Sequence, residues 1–195
     1  MMKKTIVAVS GYAQAGKDTF AEASTRNILD RETEIYKFAE ALREALAAAF
    51  AVLRIERSVW TEIKEEKDKL RPLMCELGDY ARDYDIDVFA NFLADEIETS
   101  LIAFTDVAFV TDLRYHNEYL ILKALAHRRG WDFHWVHIVK EGNPPANEKE
   151  RVSVNSLLDK EVPTCVYRAK CGDTHTLESC AKDFVRTYLT TSTSR

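Results

Sequence analysis

Cysteine is sparse, with four residues in 195, and no two of them stand as Cys-x-x-Cys. Cys165, Cys171, His175 and Cys180 share one region, but their spacing matches no usual zinc knuckle. They read as reduced, partly buried thiols. Long apolar runs are also lacking, and none reaches the ~18 residues of a membrane span. The opening MMKKTIVAVSGY joins a Lys pair to an apolar run too short for a secretory h-region. It reads as a first strand and places the protein in the cytoplasm. There is no basic excess either: 27 Lys and Arg face 32 Asp and Glu, a net charge of −5. That balance supplies no general pull toward nucleic acid or an anionic membrane, and no helix shows a basic stripe. A locally basic pocket for a small molecule is still compatible with that charge. A length of 195 residues, 46% of them hydrophobic and 30% charged, fits one ordinary globular domain.

Short β-branched runs alternate with helical patterns. TIVAVS (5–10) is apolar enough for a strand buried on both faces, and Gly11 ends it. Lys17 to about Asp30 reads as a helix, with Phe20, Ser24 and Ile28 one turn apart. EIYKF (34–38) reads as a second strand, and AEALREALAAAF as a helix of strong formers. The charged stretch 61–84 reads as helix in two pieces, with Pro72 near a start and Gly78 as a weak point. Ile86, Phe89, Ala90, Leu93, Ile97 and Leu101 line one helical face. DVAFVTD (106–112), DFHWVHIVK (132–140) and TCVYRA (164–169) read as strands, and 115–129 as a helix. EGNPPANEKERVSVN (141–155) reads as a loop or mobile lid. A last helix carries Leu177, Cys180, Ala181, Phe184, Val185 and Tyr188 on one stripe, and the tail TTSTSR reads as frayed. The expectation is a three-layer α/β fold: a five-stranded, mostly parallel sheet flanked by helices, with a small lid. Residues 1–195 form one domain, with an acceptor-binding helical segment at about 39–103 and the lid at about 141–160.

Gly11-x-x-x-x-Gly16-Lys17 has the spacing of a phosphate-binding P-loop, set between a strand and a helix as that motif requires. The backbone of Gly11, Ala13, Gln14, Ala15 and Gly16 can turn N–H groups toward phosphate oxygens. The following helix adds its positive end. Lys17 can reach the outer phosphates. Asp18 stands where a hydroxyl is usual, and Thr19 supplies that hydroxyl one place later. Asp18 either holds magnesium through a water or caps the helix. Asp112, at the end of a neighbouring strand, has the Walker B position for magnesium, and Arg114 can clamp an acceptor phosphate. Arg43, Arg71, Arg82 and Arg151 are further basic residues for an acceptor site or its lid.

Together these residues resemble a family. GYAQAGKDT, KFAEALREAL, LMCELGDYARDYDIDVFANFLADEI, VTDLRYHNEY and TCVYRAKCGDTHTLESCAKDFV are similar, in order, to segments of bacteriophage-type deoxynucleoside monophosphate kinases, within the P-loop kinases. The resemblance implies that ATP and Mg2+ are used to phosphorylate a deoxynucleoside 5′-monophosphate. It implies catalytic roles for Lys17, Asp112 and Arg114, with Arg151 as a lid arginine. Thr19 and Asp112 would serve the metal. Phe38, Ala39, Arg43, Arg82 and Asp85 would touch the acceptor. Lys170, Cys171 and Gly172 would lie by the adenine of ATP, with Lys170 standing where the family often has Asn. The lid lacks the His-x-Ser-Glu pattern of the family. A homodimer is common in such kinases. Phosphomevalonate kinases and dephospho-coenzyme A kinases share the general layout, and an ATP-binding regulator without transfer is the rival of another class.

Overall fold

The computed structural model describes residues 3–61, 63–170 and 172–190. Five strands form one sheet in the order β2-β3-β1-β4-β5: β1 Thr5–Ser10, β2 Thr33–Tyr36, β3 Val107–Leu113, β4 Asp132–Glu141 and β5 Cys165–Lys170. Every pairing is parallel, where the sequence suggested only a mostly parallel sheet. The helices are α1 Lys17–Asn27, α2 Phe38–Leu53, α3 Lys64–Tyr84, α4 Val88–Ala103, α5 His116–Arg129, α6 Glu148–Lys160 and α7 Thr174–Phe184. A π-helical turn, Val185–Leu189, extends α7. No helix among the described residues is long and apolar enough to cross a membrane.

Strand β1 is central, and all six of its residues are buried. Its side chains alternate between two cores, because successive residues of a strand face opposite sides. Ile6 and Ala8 pack with Leu93 and Ile97 of α4 and Leu122 and Leu125 of α5. Val7 and Val9 pack with Phe20 of α1 and with Leu177 and Phe184 of α7. A sheet covered on both faces needs apolar residues at every position, which is why TIVAVS shows no polar alternation. Phe20 lies 5.6 Å, ring to ring, from both Tyr167 and Phe184. Burying such a side chain contributes about 2–3 kcal/mol, so it fixes α1, and with it the loop before Lys17, to the sheet.

Several element boundaries differ from the sequence reading. The charged stretch is one helix, α3, with Pro72 inside it. The proline removes one bond to the Asp68 carbonyl, but both residues are exposed, so water can take that acceptor. Gly78 is buried within α3, facing Leu42 of α2. Phe38 opens α2 instead of closing β2, and Ile86 precedes α4 and is exposed. Residues 148–155 are helix, not loop, because Asn147 caps α6 by accepting the Glu150 N–H at 2.9 Å. Of the expected frayed tail, residues 191–195 lie outside the described residues.

Candidate active site

The carboxyl ends of β1, β3 and β4 meet at the point where the strand order runs outward in both directions from β1, the usual ligand crevice of an open parallel sheet. The loop 11–16 leaves β1 there. Gly11, Gln14 and Gly16 all have positive φ, at 147°, 61° and 96°. A Cβ on Gly11 would lie 2.4 Å from the Ile138 carbonyl oxygen, and one on Gly16 would lie 2.4 Å from Leu177 Cδ1. Backbone blocks any side chain at Gly11, whereas at Gly16 the Leu177 tip could shift and it is the positive φ that favours glycine. The loop runs into α1 with Gly16 as its N-cap residue, so α1 points its amino end at the crevice.

Lys17 folds back over the loop and donates to the carbonyls of Gly11 and Tyr12, at 2.9 Å each. Burial, and then the Arg114 charge, hold its ammonium below the usual lysine value, while Glu150, Asp112 and Asp18 oppose the shift. A desolvated cation beside a second cation is a site that favours an anion. Asp18 accepts from Thr111 at 2.6 Å and pairs with Lys37 at 3.0 Å, so it ties α1 to β3 and to the residue before α2. Those contacts hold its carboxyl below the usual range against its partial burial. Thr19 is half-buried in the first turn of α1.

The segment TDLRYHNE proves to be a scaffold around Arg114. Asp112 accepts from the N–H of Phe38 at 2.9 Å and of Ala39 at 3.1 Å, one on each oxygen, and so caps α2. Burial raises its carboxyl above the usual value, against the pull of those amides, Arg114 and Lys17. Asn117 donates to the Ile86 carbonyl and to Asp87, both at 2.9 Å, and fixes the turn between α3 and α4. Glu118 accepts from the N–H of Arg114 and of Tyr115 at 3.0 Å, both on Oε2. Arg114 itself is partly exposed, with Nη2 3.6 Å from Glu150 Oε1.

Burial pushes the Glu118 carboxyl up to about 7, with Asp112 adding to the rise. A folded-state pKa above the unfolded value means this group stabilises the fold fully below about pH 4.5. That contribution is lost as pH rises through about 7. The loss is about 3 kcal/mol by pH 8–9 at 1.36 kcal/mol per unit. Glu118→Gln keeps one oxygen for both amides and removes the charge. The variant is expected to show a flatter stability profile between pH 5 and 8 than the parent in urea unfolding. An unchanged slope would assign the pH dependence elsewhere.

The expected acceptor residues are only partly gathered. Arg82 lies over the rings of Phe89 and Tyr115, at 4.9 and 4.8 Å, and Tyr115 directly follows Arg114 in sequence. Phe38 and Ala39 are held by Asp112, as above. Arg43 lies over Trp60 at 5.7 Å. Asp85 caps the end of α3 and accepts the Asp87 N–H. Arg71 is exposed, eleven residues and so about 16 Å of helix before Arg82. Arg151 is exposed and pairs with Glu148 on its own helix. Lys170 ends β5 beside Glu141, and Gly172 follows with φ 82°. Cys171 lies outside the described residues.

Glu150 and a buried trio were not anticipated from the sequence. Glu150 is only 3% exposed and accepts the Ala13 N–H at 2.9 Å and the Ala146 N–H at 2.7 Å. Its only sequence signal is the Asn147-x-x-Glu150 spacing of a helix start. Beneath the loop, Trp135 Nε1 donates to Ser10 Oγ at 2.7 Å, and Ser10 Oγ meets His137 Nδ1 at 2.8 Å. Burial, with Lys17 and Arg168 nearby, pushes His137 down to about 4, so it is neutral at pH 7.

No three His, Cys, Asp or Glu side chains among the described residues group so as to hold a metal ion. The first turn of α1 offers oxygens of the kind that suit magnesium shared with phosphates: the Thr19 hydroxyl and the exposed Asp18 carboxylate, whose Oδ1 is engaged by Thr111 and Lys37.

No protein-family model matches the chain, and no curated protein matches it in sequence. Solved structures do match in fold. APS kinase CysC of Mycobacterium tuberculosis, in complex with AMPPNP and APS, matches 97% of this chain and 100% of its own at a TM-score of 0.50 and 13% identity. The tunicamycin resistance protein of Deinococcus radiodurans matches 94% of this chain and 96% of its own at a TM-score of 0.52 and 11% identity. The chain thus has the fold of the P-loop kinases.

Proposed function

We propose that this chain is an ATP-dependent kinase that phosphorylates a deoxynucleoside 5′-monophosphate to the diphosphate, using magnesium. The carrying observation is that the loop leading to Lys17 and Arg114 at the end of β3 meet at one carboxylate oxygen, Glu150 Oε1, which lies 2.9 Å from the Ala13 amide and 3.6 Å from Arg114 Nη2, beside an α2 wall fixed by Asp112. The likeness to P-loop kinase structures supports the fold, and the sequence resemblance supports the acceptor.

In this reading an oxygen of the acceptor phosphate attacks the γ-phosphorus of ATP. The bond from that phosphorus to the β–γ bridging oxygen breaks, and ADP leaves with the electron pair. The acceptor oxygen is already anionic, so no strong base is required. The chain's work is positioning and charge. Lys17 leaves the Gly11 and Tyr12 carbonyls to follow the β- and γ-phosphates. Amides of the loop hold the phosphate oxygens. Arg114 holds the acceptor phosphate, and Arg82, over the rings of Phe89 and Tyr115, lines the same wall. Thr19 and Asp18 would hold magnesium, directly or through water. When bound, the ion neutralises charge on the phosphates.

The test is a panel of acceptors with ATP and magnesium: the deoxynucleoside monophosphates, the ribonucleotides, phosphomevalonate and dephospho-coenzyme A, with products resolved by chromatography. Formation of a deoxynucleoside diphosphate with matching ADP is the expected result. Transfer to phosphomevalonate or dephospho-coenzyme A alone would move the protein to another branch of small-molecule kinases. ATP binding with no transfer to any acceptor would make it a regulator.

A further inference from the structure

The phosphate cradle already holds an anion, and it belongs to the chain itself. Glu150, in the first turn of α6, puts Oε1 on the Ala13 amide and Oε2 on the Ala146 amide. The same Oε1 faces Arg114 at 3.6 Å, and the carboxylate's charge is felt by Lys17. One oxygen is thus shared by the donor loop and by the arginine read above as the acceptor's clamp. Neighbouring contacts hold α6 in this place. Lys149 bridges to Asp79 of α3 at 2.6 Å, and Tyr12 donates to Asn155 at 3.1 Å. Asn143, in the loop before α6, donates to the Ala13 carbonyl at 2.8 Å.

We propose that Glu150 is a positioning residue that occupies the phosphate cradle and restrains Arg114 until a triphosphate displaces it. The proposal rests on the kinase reading. A triphosphate brings several negative charges to a site where one buried carboxylate is now held by two amides and faced by the Arg114 guanidinium. The Ala13 N–H cannot serve both anions, and a buried carboxylate beside a triphosphate is repelled. Displacement moves the first turn of α6 and takes the carboxylate off the Ala146 amide. It also frees Arg114. Binding of nucleotide therefore raises the affinity for the acceptor, and the acceptor raises that for nucleotide by the same factor.

Two measurements test this on the intact protein. Amide hydrogen exchange is followed with and without inorganic tripolyphosphate and magnesium. Loop amides 13–18 are expected to gain protection while Ala146 loses it. A lid that simply closes would protect Ala146 too, so unchanged or slower exchange there overturns the proposal. In the second, Glu150→Gln keeps an oxygen for Ala13 but carries no charge. Calorimetry is expected to give a tripolyphosphate Kd about fivefold or more lower than the parent's. A non-hydrolysable ATP analogue is expected to tighten deoxynucleoside monophosphate binding about fivefold or more in the parent and hardly at all in the variant. Equal tripolyphosphate affinity, or equal coupling, in the two proteins overturns the displacement role alone. Failure of both proteins to bind tripolyphosphate overturns the phosphate-cradle reading itself, and this role with it.

Discussion

Lys17→Met is expected to lower kcat/KM for phosphoryl transfer by about a thousandfold or more, the scale of losing a preorganised charge at the transferring group. The fold should survive, for a physical reason. Lys17 is buried, but its ammonium bonds two loop carbonyls among the described residues, and burial and Arg114 disfavour its charge. Methionine has similar length and no charge to desolvate. It leaves the Gly11 and Tyr12 carbonyls short of a donor, a cost of about 1–3 kcal/mol if no water replaces it. The variant is checked first by circular dichroism and thermal melting, then by ADP release in the presence of acceptor. Full turnover in a folded Lys17→Met protein would end the kinase reading. Lost turnover with intact binding of the acceptor alone would place the lysine on the triphosphate, as argued.

How much of this was legible in the residues depends on how local each determinant is. The loop is local: a strand with no polar alternation, two glycines at positions where a Cβ would strike Ile138 or Leu177, and a helix beginning at Lys17. The strand–helix order was legible for the same reason, since each buried strand must be apolar on both faces. The start of α6 was signalled by Asn147 and Glu150, but Pro144 and Pro145 just before it pointed to loop. Pro72 marked a break that the exposed face of α3 absorbs. Least legible were charges whose partners are distant in sequence. Apart from that helix-start spacing, nothing local sets Glu150 apart from the carboxylates around it, and its partner Ala13 is 137 residues away. Arg151, its neighbour, carried the expectation for the lid, but it is the helix face of Glu150 that turns inward. The strand-end position and the resemblance both led to Asp112 and Arg114, without revealing that Asp112, Asn117 and Glu118 bond chiefly to backbone or to the α3–α4 turn.

Asp112 is where these two views can be separated. Its position at the end of β3 suggested a magnesium ligand, whereas its two oxygens are each engaged by an amide at the start of α2. Asp112→Asn keeps one acceptor oxygen and turns an NH2 group toward the other amide. One α2 amide then loses its partner in a part-buried site, for a stability loss of about 1 kcal/mol. The start of α2, which carries Phe38 and Ala39, is then pinned to β3 by one bond instead of two. A displacement on the order of 1 Å at an acceptor wall can cost about a hundredfold in rate, so kcat/KM is expected to fall by about that much. The division of that loss is informative. If Asp112 acts through α2, the acceptor KM rises while the magnesium concentration giving half-maximal rate stays where it was. If it orients the ion, the magnesium requirement rises and the acceptor KM holds. The geometry predicts the first result, because both oxygens of Asp112 already cap α2 and so tie the acceptor wall to β3.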